Sequence, residues 1–305
     1  MARRVKRILL VCNNYDSFAL EEDGRIEVQI AQEYAELNLS NPPSIVRAET
    51  TLEALMLLNG QRDDGQGTKE PFDLILTMYS VGEIDVFDFA KQAKKLLPEC
   101  PVVLLSAFSK EIYNRIEQHD RSDIDYFFNW NNSTDLIIAI IKLIEDRMNA
   151  PHDILDEGVR AILLVEDSVR YYSTYLPLLY KLVLHQNSIA IRDALNEKQQ
   201  LLRKRARPKM LLATCYDEAV ELYQRYSKNI IGVISDIGFV LHKGDPSATE
   251  KLDAGVDLCK LIREDNPTMP FLMQSSQESM RSVARQLKVG FVIKTSKTLT
   301  QEVSE

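Results

Sequence analysis

Short aliphatic runs alternate with longer amphipathic stretches along the whole chain. Apolar runs closed by polar turns read as strands buried on both faces, and stretches with apolar residues every third or fourth position read as helices. In the first half the predicted strands are RILLV (7–11), SIVRA (44–48), DLILTM (73–78), PVVLLS (101–106) and DYFFN (125–129). Predicted helices fall between them at 25–38, 51–59, 85–97 and 109–118, with a last one at 133–148. The second half repeats the order with AILLV (161–165), KMLLAT (209–214), IIGVISD (230–236), PFLMQS (270–275) and GFVIK (290–294), and helices at 168–205, 216–227, 254–264 and 277–287. The repeat is about 155 residues long, and each copy is a (βα)5 unit. Alternating strands and helices of this kind form an α/β fold with a doubly wound, five-stranded parallel sheet. The expected domains are therefore 1–150 and 151–305, joined by a helix exit and polar stretch, RMNAPHDILDEG (147–158).

Three stretches depart from a minimal unit. The first helix of the second copy is expected to run from 168 to 205, kinked at Pro177, and to offer its outer half to the first domain or to a second protomer. The connection after Asp236, IGFVLHKGDPSATEKLDAG, is long for such a fold, and loops of that size tend either to carry function or to be mobile. The sequence stops at TLTQEVSE, a few residues into an expected fifth helix, which reads as a piece of a longer protein.

Composition narrows the function classes. A 45% hydrophobic, 27% charged chain with net charge −8 is that of an ordinary globular protein, and the charge disfavours nucleic acid or an anionic membrane as partner. The one basic run, LLRKRARPK (201–209), reads as a solvated helix face. Cys12, Cys100, Cys215 and Cys259 lie far apart with no CxxC, which signals neither a disulfide framework nor a zinc site and suits a cytoplasmic protein. No stretch approaches the roughly 20 apolar residues that cross a bilayer.

Ligands of parallel α/β sheets sit beyond the carboxyl ends of the strands. In the second copy those ends deliver Glu166 and Asp167, then Asp236, then Ser275 and Ser276, then Lys294. Three carboxylates on one edge repel each other unless a cation joins them, and a hard all-oxygen set suits Mg²⁺. A hydroxyl and an ammonium on neighbouring strands would then hold phosphoryl oxygens.

These motifs, ILLVEDS, VISD, PFLMQSS and GFVIK, resemble the flavodoxin-like receiver domain of two-component response regulators over nearly all of 160–298. The resemblance implies that Asp236 accepts phosphate from the phosphohistidine of a histidine kinase or phosphotransfer protein. It implies that Glu166, Asp167, Asp236 and the backbone carbonyl of Gly238 hold Mg²⁺, that Ser275 and Lys294 contact the phosphoryl group, and that Phe291 is the aromatic switch residue. The chain departs from that family at Thr295, where proline is usual, in a Ser275–Lys294 spacing a few residues short, and in the long loop 237–253.

At the corresponding ends of the first copy stand Cys12 and Asn13, Met78, Ser106 and, at the expected lysine position, Asn129. Asp16 is near in sequence, and Asp73 lies at the wrong end of its strand. This copy is expected to be a pseudo-receiver, without a metal site or a nucleophile. His119, His152, His185 and His242 have no ligand spacing, Trp130 reads as a packing residue, and the glycines of DDGQGTK (63–68) read as a surface turn.

The segments YDSFALEEDGR, EYAELNLS, IIKLIEDRMN, ILLVEDSVRYYSTYLPLLY and RARPKMLLAT are also similar to the N-terminal region of bacterial proteins that place tandem receivers before a phosphoenolpyruvate/pyruvate-binding domain. That implies an output domain beyond residue 305 and no enzymatic activity in this chain beyond receiver self-phosphorylation. The expected function is thus phosphorelay signalling. A scaffold or dimerisation region, or a regulatory segment of a phosphoenolpyruvate/pyruvate-binding phosphotransferase, are the competing readings.

Overall fold

The computed structural model describes residues 3–14, 26–37, 39–60, 71–79, 81–82, 84–107, 112, 116, 118–130, 133–193, 196 and 207–294. The chain divides into two compact units, Arg4–Ile144 and Met1–Arg3 with Glu145–Glu305.

The first unit contains β1 (Arg7–Val11), β2 (Ser44–Ala48), β3 (Leu74–Met78), β4 (Val102–Ser106) and β5 (Tyr126–Asn129). They form an all-parallel sheet in the order β2-β1-β3-β4-β5. Its helices are α1 (Ile26–Glu36), α2 (Thr51–Leu58), α3 (Val86–Leu96) and α4 (Thr134–Ala150), and the division between units falls inside α4. Every residue of β3 and β4 is buried, as expected for central strands covered on both faces. The predicted helix at 109–118 lies mostly outside the described residues.

The second unit contains β6 (Ala161–Val165), β7 (Lys209–Ala213), β8 (Ile230–Asp236), β9 (Phe271–Ser275) and β10 (Gly290–Ile293), again all parallel, in the order β10-β9-β8-β6-β7. Its helices are α5 (Val169–Arg192), α6 (Tyr216–Tyr226), α7 (Ala254–Asp265) and α8 (Arg281–Gln286). Counted within each unit, both sheets have the flavodoxin-like order 2-1-3-4-5. The order reverses between the first and third strands, which places a crevice over the ends of β6 and β8.

Four expectations are corrected. The helix extends further into the linker than expected, because α4 runs to Ala150 and passes into a π-helical turn, Pro151–Asp156. Ala150 and Ile154 are packed into the core of the second unit, so the apparently polar stretch has an apolar face. The long helix α5 ends at Arg192, with Pro177 inside it and Tyr172, Tyr175, Leu176 and Tyr180 buried; 194–195 and 197–206 lie outside the described residues. The end of the basic run is not a solvated face: Arg207 and Lys209 are buried.

Asp146 is buried between the last two basic residues. It accepts from Arg207 (Nη1 to Oδ2, 3.0 Å), from the Tyr180 hydroxyl at 3.0 Å and from the Met210 amide at 3.0 Å. Lys209 Nζ lies 2.7 Å from Asp153 Oδ2. Isolated buried charges are costly, and these are all paired. The fourth correction concerns the loop after Asp236, which is pinned along its length. Phe239 and Lys251 form an antiparallel bridge, and Tyr216 and Asp217, at the start of α6, donate their amides to Val240 and Leu241.

Candidate functional site

The site is built where β6, β8, β9 and β10 end. Parallel register aligns Val165 with Ser235, Asp236 with Gln274, and Ser275 with Ile293. Glu166 therefore leaves β6 beside Asp236 at the end of β8, and Lys294 leaves β10 beside Ser275, to whose carbonyl its amide donates at 3.0 Å. One carboxylate oxygen from each of Glu166, Asp167 and Asp236 lies within 4.8 Å of the others; among the described residues no other such group of His, Cys, Asp or Glu occurs.

Lys294 reaches across β9 into this cluster. Its ammonium lies 2.6 Å from Glu166 Oε2 and also donates to Asp236 Oδ2. The Tyr171 ring, from the first turn of α5, lies 4.2 Å from the same nitrogen. Glu166 is fully buried and accepts further from the Ser168 amide at 3.2 Å and the Gln274 side chain at 3.4 Å. Asp167 Oδ2 accepts from the Val240 amide at 3.1 Å, and Asp236 Oδ1 from the Ile237 amide at 2.7 Å. The Asp236 side chain keeps 12% of its surface exposed, whereas that of Glu166 keeps none. Of these two, Asp236 is the one an incoming group can reach.

Burial drives the electrostatics. It raises the Glu166 carboxyl well above the ordinary carboxylate range, helped by the charge of Asp236 and opposed by Lys294. Asp167 is pushed up to about 7, by burial first and then by the charge of Glu250. Burial also raises Asp236, against the pull of Lys294 and of the Ile237 and Gly238 amides. For Lys294 burial alone would lower the value, but Glu166 and Asp236 together raise it. Three carboxylates facing one ammonium leave an excess of negative charge and hard oxygen donors. That donor set fits Mg²⁺.

The backbone supports the arrangement. A Cβ on Gly255, at the start of α7, would lie 2.1 Å from the Asp236 carbonyl oxygen, so only glycine lets α7 approach so closely. Gly238 follows two residues after Asp236, and its amide donates to that carboxylate. The Ser275 hydroxyl, buried, accepts from the Gln277 amide at 3.1 Å. The short Ser275–Lys294 spacing follows from α8, which spans only six residues. Phe291 is half-buried, with the Arg281 guanidinium 4.9 Å from its ring centre. Thr295 lies outside the described residues.

Three neighbours were not legible in the sequence. Gln274 reads as a strand residue, Tyr171 as one of several helix aromatics, and Glu250 as one acid of a loop. The helical step from Ser168 to Tyr171 was the one available signal. His242 is exposed and lies 2.7 Å from Asp217.

At the ends of the first sheet, Cys12 and Met78 are buried and Arg47 donates to the Cys12 sulfur at 3.4 Å. Asp73 accepts from the Lys6 and Arg7 amides, at the opposite end of the strands. Asp16 lies outside the described residues. The lysine position is corrected. Asn129 pairs with Ser106 as Ile293 pairs with Ser275, and the Trp130 amide donates to Ser106 as that of Lys294 does to Ser275. Trp130, not Asn129, stands in the place of Lys294.

No helix among the described residues is long and apolar enough to cross a membrane. No protein-family model matches the chain, and no curated protein does. Solved structures do match. The phosphorylated cyanobacterial phytochrome response regulator RcpA is similar at 23% identity and a TM-score of 0.33, over 46% of this chain and 91% of that one. A probable two-component response regulator/GGDEF domain protein is similar over 98% of this chain and 94% of its own, at 16% identity and a TM-score of 0.35. The receiver domain of the Arabidopsis thaliana histidine kinase CKI1, complexed with Mg²⁺ and BeF3⁻, is similar at 20% identity and a TM-score of 0.30, over 47% and 91%.

Proposed function

We propose that the second unit is a phosphoacceptor module of a phosphorelay and that the first is a pseudo-receiver. The reading is carried by one observation: Glu166, Asp167 and Asp236 converge within 4.8 Å while Lys294 pairs with Asp236 from the far side of β9. An Asp236 carboxylate oxygen attacks the phosphorus of a phosphohistidine on a histidine kinase or phosphotransfer protein. The P–N bond breaks, the electron pair returns to the imidazole, which takes up a proton, and an acyl phosphate forms on Asp236. Glu166 and Asp167, with Asp236 and the Gly238 carbonyl, would hold Mg²⁺, which neutralises charge on the phosphoryl oxygens. Lys294 moves its hydrogen bond from the free carboxylate to the transferred group. Ser275 is the hydroxyl placed to contact that group, and Phe291 the aromatic that responds.

The test is intact-protein mass spectrometry after incubation with acetyl phosphate and Mg²⁺. One hydroxylamine-labile phosphoryl adduct is expected on the wild type and none on Asp236→Ala. An unmodified wild type, or an adduct that survives the substitution, would overturn the reading.

A further inference from the structure

We infer that Glu250 is a fourth carboxylate of the metal site, acting on the cation through a metal-bound water; this rests on the phosphoacceptor reading above. The connection 237–253 is folded back as a strap rather than left as a loop. Its two arms are joined at Phe239 and Lys251, with the Phe239 amide 3.3 Å from the Lys251 oxygen and the Lys251 amide 3.1 Å from that of Phe239. Antiparallel register then sets Glu250 across from Val240. Val240 is the residue whose amide holds Asp167 Oδ2 at 3.1 Å.

Glu250 closes a single 3₁₀ turn, Ser247–Thr249, and the Lys251 ammonium is engaged by Asp257 and Asp253 rather than by Glu250. The Glu250 charge helps to raise Asp167, and Glu250 is itself raised, by burial first and then by the charge of Asp236. Glu250 is exposed at the rim and lies outside the three-carboxylate cluster, so it is not placed as a direct ligand. Mg²⁺ keeps several of its waters in protein sites, and a carboxylate at the rim can accept from one of them. Residues that act on a metal through its outer ligands typically alter affinity by about 10-fold to 100-fold.

The experiment is isothermal titration of the full chain with MgCl2 alone, with Glu250→Gln compared against wild type and against Glu264→Gln, the same charge change near the far end of α7. Glu250→Gln is expected to weaken Mg²⁺ binding about tenfold and Glu264→Gln to leave it within about twofold. The difference is expected to persist in about 0.5 M KCl, where a purely long-range field is screened. Equal affinity in Glu250→Gln and wild type, or a difference that vanishes in high salt, would overturn the role of Glu250 and leave the phosphoacceptor reading standing. Failure of the wild type to bind Mg²⁺ would overturn both. Thermal denaturation of the variants checks that neither exposed substitution unfolds the protein.

Discussion

The carboxyl edges of the two sheets have the same backbone and different side chains. The Cys12 amide donates to Ala48 and the Glu166 amide to Ala213, each at 3.0 Å. Thr77 gives its hydroxyl to the Met78 carbonyl as Ser235 gives its own to the Asp236 carbonyl. Yet Cys12, Met78 and Trp130 stand where the second unit has Glu166, Asp236 and Lys294. Cys12 and Met78 are buried without charge, whereas Glu166, Asp236 and Lys294 are buried as paired charges. The same fold therefore accommodates the charged cluster without requiring it.

The sharpest way to break this contrast is to remove the shared cation. Lys294→Met leaves Glu166 and Asp236 buried without their ammonium and is expected to destabilise the second unit by about 3 kcal/mol, the lower end of what breaking a buried pair costs. The matching change in the first unit, Trp130→Phe, breaks no ion pair among the described residues and is expected to cost about 1 kcal/mol through the smaller ring. Amide hydrogen exchange followed by mass spectrometry reads the two units separately. Saturating Mg²⁺ is expected to restore part of the loss in Lys294→Met by binding the folded state, and to leave the first unit unchanged. Equal costs in the two units, or no response to Mg²⁺, would remove the distinction.

A smaller effect concerns the backbone behind Asp236. Gly255→Ala puts a methyl group where α7 meets the Asp236 carbonyl, and overpacking of this kind costs about 2 kcal/mol. The carboxylate moves with its backbone, so phosphorylation by acetyl phosphate is expected to slow even where the variant is fully folded. A variant with wild-type stability and wild-type rate would show that the close approach has no role.

The two edges also mark how far the sequence could be read. Strand order and the acidic strand ends were legible because aliphatic runs of fixed length stop at charged residues. Asn129 reads as the counterpart of Lys294 because the last strand of each unit is only four residues long, and one residue of register decides which side chain faces the site. The linker misled for a different reason. Ile154 and Asp153 are two residues of a polar stretch, and only the neighbouring core and Lys209 make them buried. Nor does spacing reveal Glu250, because the bridge that brings it to Val240 spans a turn with no periodic pattern.

The smallest expected effect lies at the strap, which has no described counterpart in the first unit. His242 Nδ1 lies 2.7 Å from Asp217 Oδ2, and the His242 amide donates to Asp245. The hydrogen bond to Asp217, with its charge, raises the imidazole above its ordinary value, and Asp245 adds to this. Because the folded value is the higher one, the contribution is fully present below the unfolded value of about 6.5 and is lost as pH rises through the folded value. The pair is exposed, so salt screens it. Hydrogen exchange of residues 237–253 is therefore expected to quicken modestly as pH rises through that window, after correction for the intrinsic rate. Asp217→Asn should remove the dependence, while exchange in the first unit should show none in either protein. A strap whose protection ignores both pH and Asp217 would be held by its backbone bridge alone.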